Sequence, residues 1–234
     1  MSTANEELTG LANSIRTKAN TTDKMTIVEM TEAVENLSIG GDNSEFLSLL
    51  TDTPTPGYTI TIPEGITELK KGCFYKAEYL LEVTLPESVT ELSEECFCQC
   101  SRLSKITIPK TATIIPVYCF YACSALLEVT IPNGVTVIYD GCFALCDSLT
   151  DITIPNSVTE ISGSAFFFCD SLTKIVIPDS VTWMGEGVFL DCSALTDVTL
   201  SENLTYLNTT CFKDCSSLES ITLPSKVTSL EERC

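Results

Sequence analysis

From Thr61 to the end of the chain the sequence repeats every 23 residues, without an insertion or a deletion. Residues 61–83 read TIPEGITELKKGCFYKAEYLLEV, and residues 84–106 read TLPESVTELSEECFCQCSRLSKI. The register starts again at 107, 130, 153, 176 and 199, and an eighth unit, TLPSKVTSLEERC, occupies 222–234. One unit this short cannot bury its apolar residues alone. Each must therefore be one turn of a stack, with recurring residues aligned along the stack axis.

Counted from the first residue of a unit, position 14 is Phe in all seven full units, from Phe74 to Phe212. Position 20 is Leu in all seven, from Leu80 to Leu218, and positions 2, 6, 9 and 23 are almost always aliphatic. These columns predict one continuous core. The stretch from position 20 into the next unit reads Leu-x-x-Ile-x-Ile-Pro, as in Leu149 to Pro155. Strand alternation sends Ile152 and Ile154 inward and Asp151 and Thr153 outward. Proline at position 3 ends the strand, because it has no N–H to donate. A second extended piece such as Val158–Ile161 follows, then a tight segment around Phe166. The expected fold is a leucine-rich-repeat solenoid of ~4.8 Å per turn, with a parallel β-sheet on one face. A short α-helical N-terminal segment precedes it.

The pattern LxxIxIPxxVTxIxxxCFxxCxxL resembles the BspA-like, treponemal-type leucine-rich repeats over residues 61–234. Members of that family are mostly bacterial and protozoal surface proteins that bind host or matrix proteins. The resemblance implies a binding scaffold and names no ligand. Two departures stand out: position 13, usually Ala in the family, is mostly Cys, and Ser201 replaces the repeat proline once.

The first sixty residues lack the period. Thr3-x-x-Glu6 and Thr26-x-x-Glu29 are capping boxes. Leu8, Leu11 and Ile15 follow the first at helical spacing, and Ile27, Met30, Val34 and Leu37 form a second apolar stripe. Residues 1–42 thus read as a two-helix module, and 43–60 as a linker and N-terminal cap leading into a strand at Tyr58. The stretch LANSIRTKANTTDKMTIVEMTEAVENL resembles an N-terminal module of phage and prophage tail proteins. It implies an attachment segment followed by a display segment.

Composition narrows the function classes. The 32 acidic residues outnumber the 13 basic ones, for a formal net charge of -19. That opposes binding to nucleic acid and to anionic membrane surfaces. The first ten residues, MSTANEELTG, carry neither a basic nor an apolar signal region, and no apolar run is long enough to span a bilayer. The chain is expected to be made in the cytoplasm and to end up in a virion tail or associated with a bacterial cell. It has no histidine, the commonest general base. No GxSxG, P-loop or dinucleotide fingerprint is present, so no enzyme, catalytic residue, cofactor or metal is expected.

Thirteen cysteines invite a metal or disulfide reading. Yet Ala165 and Val188 fill position 13 in two units, and Ala77 fills position 17 in one. A slot that accepts Ala or Val is an apolar slot, and free Cys fits it. Cys98, at position 15, is expected to face out as a reactive thiol. The Thr column at position 7, Thr67 through Thr228, reads as a structural ladder.

The candidate binding residues are aromatic side chains at positions outside the core columns: Tyr118, Tyr121, Tyr139, Phe167, Phe168, Trp183 and Tyr206. Clustered exposed aromatics mark contact surfaces. The expected partner is a protein or cell-surface ligand. The leading functional expectation is a tail-associated binding scaffold; the alternative is a cellular BspA-like adhesion or interaction protein. At the C-terminal end, the eighth unit is expected to supply a strand over Ser220–Leu223 but no phenylalanine. That points to self-association or docking through residues 211–234, or to a fragment.

Overall fold

The structure, a computed structural model, describes residues 57–234. The helices expected over 1–42, and residues 43–56 of the linker and cap expected over 43–60, lie outside the described residues. The remainder is a solenoid of parallel strands with the 23-residue period of the sequence.

Two columns of strands run along it. The first holds β1 (Tyr58–Thr61), β3 (Leu80–Thr84), β5 (Lys105–Thr107), β7 (Glu128–Thr130), β10 (Lys174–Val176) and β12 (Asp197–Thr199). The second holds two-residue strands: β2 (Glu68–Leu69), β4 (Glu91–Leu92), β6 (Ile114–Ile115), β8 (Val137–Ile138), β9 (Glu160–Ile161), β11 (Trp183–Met184), β13 (Tyr206–Leu207) and β14 (Ser229–Leu230). Registers follow the period, as in Ile106↔Val129 and Ile138↔Ile161. Within the first column β1, β3, β5 and β7 form one sheet and β10 and β12 another.

The break between those sheets corrects one expectation. Ile152 and Ile154 are buried and Asp151 and Thr153 exposed, as alternation requires, but the segment is not a ladder strand. The bonds that the period would place at Ile131 N–H to Thr153 C=O and at Ile154 N–H to Val176 C=O are not made. The side-chain pattern sets which residues point inward; it does not set how closely two turns approach. A second correction falls on Ser220–Leu223, which forms no strand, and Leu223 is 41% exposed. Only the second column continues into the eighth unit, through Leu207↔Leu230.

The core is a set of stacked columns. Phe74, Phe97, Phe120, Phe143, Phe166, Phe189 and Phe212 stack face to face at 5.2–5.5 Å between ring centroids, with planes within 12° of parallel. All but the last are buried. Burying one such ring contributes roughly 1.5–3 kcal/mol. The leucines of position 20 are buried from Leu80 to Leu195. The threonine column is a hydrogen-bond ladder, in which Thr90 Oγ1 donates to Thr67 C=O at 3.2 Å and Thr159 Oγ1 to Thr136 C=O at 3.2 Å.

The side opposite the first column is no loose loop. Cys73, Tyr75 and Ala77 donate their N–H groups to Lys70, Gly72 and Phe74 in three overlapping turns. The alternate N–H groups, of Gly72, Phe74 and Lys76, donate to Glu94, Cys96 and Cys98 of the next turn at 2.8–3.0 Å. This weave requires a left-handed residue at positions 12 and 16. Every one is left-handed, at φ 53–63° from Gly72 to Arg233 and at φ 56–61° from Lys76 to Asp214. Only three of these fifteen sites are glycine, so side-chain-bearing residues such as Tyr118, Phe168 and Thr210 are held there against their own preference.

Candidate binding surfaces

The cysteines resolve into a structural role. Twelve are buried, and Cys234 alone is exposed. At position 17 each thiol donates to the carbonyl of the position-14 phenylalanine one turn back: Cys100 to Phe74 at 3.1 Å, Cys123 to Phe97 at 3.0 Å, Cys169 to Phe143 at 3.2 Å and Cys215 to Phe189 at 3.0 Å. The Phe74 carbonyl already accepts the Ala77 N–H at 3.0 Å, so the thiol occupies its second lone pair. Burial raises the Cys100, Cys119, Cys142, Cys146 and Cys169 thiols well above their ordinary range. It pushes Cys192 up to about 12. Among the described residues no three His, Cys, Asp or Glu side chains are grouped to hold a metal ion.

Cys98 overturns its expectation. It is 5% exposed, and burial followed by the nearby Glu95 charge pushes its thiol up to about 12. Position 15 is partly covered throughout, and a small residue there sinks between larger neighbours; Ala144 is buried in the same way. Cys98 stands between Tyr75 and Tyr121 in that column.

The seven candidate aromatics do not form one patch. Tyr118 and Tyr121 meet edge to face at 5.4 Å, as do Phe167 and Phe168 at 4.7 Å. Tyr118 is 44% exposed and Phe168 36%; the other five are half-buried. Trp183 lies on the outer side of the second column, in one sheet with Ile114, Val137 and Glu160. Tyr206 begins a separate two-stranded sheet. Tyr139, two residues beyond Val137 on the same side, lines a groove of about 440 Å³ with Ile114, Pro116, Val117, Leu92 and Lys71.

A second groove, of about 680 Å³, lies on the first column where its sheet is broken. Val176 lies in it and is 46% exposed. Sequence reasoning missed it, although the signal was present: Val176 is the only residue of position 1 that is not Thr. Residues 57–234 contain no helix long and apolar enough to cross a membrane.

Comparison with known proteins agrees with this geometry. The family described as the BspA type leucine rich repeat region matches residues 56–166 and 113–234, with 6 copies. A leucine-rich repeat protein from Bacteroides ovatus is 28% identical at a TM-score of 0.64; the match covers 78% of this chain and 44% of that one. The leucine rich repeat protein of T. pallidum is 29% identical at a TM-score of 0.62, covering 75% of this chain and 74% of that one. The pneumococcal vaccine antigen PcpA, 19% identical at a TM-score of 0.51 over 72% of this chain and 51% of that one, shares the fold. No curated protein matches this chain.

Proposed function

The chain belongs to the BspA-type leucine-rich repeat family, and from that premise we propose that it is a non-enzymatic scaffold that binds a protein or cell-surface ligand. The observation that carries this reading is the surface around the second column. Ile114, Tyr118 and Phe168 are exposed there or on the adjoining turns, on a backbone held rigid by hydrogen bonds between turns. Large apolar groups on a rigid frame gain contact area at little entropic cost. The perturbed titratable groups are mainly buried thiols of the core, and neither groove gathers an acid, a base and a nucleophile.

The tail-associated role rests on the resemblance of residues 11–37 to phage and prophage tail modules, which makes the N-terminus an attachment segment and the solenoid a display segment. The cellular adhesin reading is favoured by the matches to chains from B. ovatus and T. pallidum. Immunogold labelling of phage particles and of cell envelopes separates the two. Gold on tail structures supports the first, and gold on envelopes the second. Self-association through residues 211–234 is carried by the exposed Leu223 and Leu230, and light scattering reads it. For the scaffold itself, the test is binding of the fluorescently labelled protein to intact bacteria. Tyr118→Ala with Phe168→Ala weakens that binding by more than ~1 kcal/mol per residue and leaves the fold intact. Undiminished binding by the double variant removes these residues from the site.

A further inference from the structure

The groove at the sheet break brings together three features that coincide nowhere else on the first column among the described residues. Its exposed apolar centre is Val176, where the other seven units place Thr. Buried Ile152, Ile154, Ile177 and Leu200 lie beneath, so the centre continues the core to the surface.

Charge surrounds that centre. Asp151, Asp179 and Glu202 line the groove, and Asp197 stands beside it. The one ammonium, Lys174, lies 3.5 Å from Asp197. The Asp179 carboxylate accepts the Glu202 N–H at 2.8 Å. Four carboxylates thus face one cation, on a chain already strongly acidic. By the period, Asp151, Lys174 and Asp197 are successive rungs of one column, so carboxylates stand one turn to either side of the strand that carries Val176.

The backbone is the third feature. The peptide groups of Asp151 to Ile154 make no hydrogen bond to a neighbouring turn among the described residues. Strand groups left in this way need another partner, water or a ligand. An extended peptide supplies donors and acceptors of the required kind.

We propose that this groove binds an extended segment of a partner protein in which an aliphatic residue is flanked by lysine or arginine two positions to each side. In an extended chain residues two apart share a face, so that spacing presents the aliphatic group to Val176 and both cations to the carboxylate rim. The groove is distinct from the aromatic surface of the second column. The inference rests on the scaffold reading only in taking a protein as the partner.

The test uses a fluorescein-labelled peptide, lysine–serine–valine–serine–lysine, read by anisotropy against the full chain at about 0.15 M salt. One control replaces the valine by glycine, and another replaces both lysines by glutamate. The parent peptide binds, and each control binds at least about tenfold more weakly. Val176→Thr, which restores the residue of the other seven units and so keeps the fold, weakens the parent peptide by about tenfold. Asp151→Asn and Glu202→Gln weaken it and flatten its salt dependence, while Tyr118→Ala leaves it unchanged. Equal binding of the glycine control overturns the proposal in favour of diffuse charge attraction, and so does indifference to Val176→Thr. Absence of binding at about 1 mM peptide also overturns it. Binding of the whole protein to cells that survives Val176→Thr but is lost in the aromatic variants leaves the scaffold reading standing without the groove.

Discussion

The ring of Tyr118 lies so close to Gly141 that a Cβ built on the glycine would sit 2.4 Å from Tyr118 Cε1. The two residues occupy position 12 in successive turns, both left-handed, at φ 53° and 56°. The Tyr118 ring therefore leaves no room for a side chain at position 141 in the next turn. Gly141→Ala is expected to destabilise the protein by about 1–3 kcal/mol, combining left-handed strain with displacement of the ring. Tyr118→Ala in the same molecule removes the displacement and leaves about 1 kcal/mol. Urea denaturation of the four proteins of this cycle measures the coupling, and strict additivity would refute the contact.

Thr210 carries the opposite lesson. It is β-branched and left-handed, at φ 56°, at a position where Gly72, Gly141 and Gly187 are glycine. Thr210→Gly relieves the strain and is expected to raise stability by about 0.5–1 kcal/mol despite the greater freedom of the unfolded chain. The hydroxyl bond that it loses is local, to Thr209 C=O. A fall in the melting temperature would count against the strain.

Phe143 and Phe212 belong to one column yet differ in cover. Phe143 has a ring on each side, at 5.4 and 5.5 Å, and is fully buried. Phe212 stacks on Phe189 alone among the described residues and is half-buried. Phe143→Ala should cost about 3–5 kcal/mol and Phe212→Ala about half as much. Equal losses in chemical denaturation would mean that stacking contributes little to either.

Thiol chemistry follows from burial. A disulfide reagent at about pH 8 should modify Cys234 alone in the native protein and all 13 cysteines once it is unfolded. Rapid modification of Cys98 would contradict its burial. Stability should also depend on pH on the alkaline side. The folded state keeps its thiols protonated after the unfolded chain has begun to lose protons, near pH 9. The stabilisation is therefore complete below about pH 9 and is lost as pH rises toward the folded values, about 11 for Cys215 and about 12 for Cys192. Each thiol titrating only in the unfolded chain contributes a slope of about 1.4 kcal/mol per pH unit. Cys146→Ala with Cys169→Ala should flatten the dependence of the urea midpoint on pH between about 9 and 11.

Whatever depends on the period was legible from the residues alone. Identical spacing puts equivalent residues of successive turns in one column, so the Phe, Leu and Thr columns, the inward face of each strand and the apolar nature of the cysteine slots could be read from the residues alone. What the period could not convey was the distance between particular turns and the handedness of particular residues. Cys98 and Tyr121 share position 15, yet one is buried and the other half-exposed, because size relative to the neighbours in the column decides cover. The thiol bonds to phenylalanine carbonyls depend on a weave of left-handed residues that glycine marks at only three of its fifteen sites. The break at Asp151–Ile154 leaves the alternating pattern untouched, since burial constrains side chains while the ladder depends on backbone approach. Sequence determined which residues share a column; tertiary packing decided where each column closes and where it opens into a groove, because that depends on neighbouring side chains and on distances that no spacing encodes.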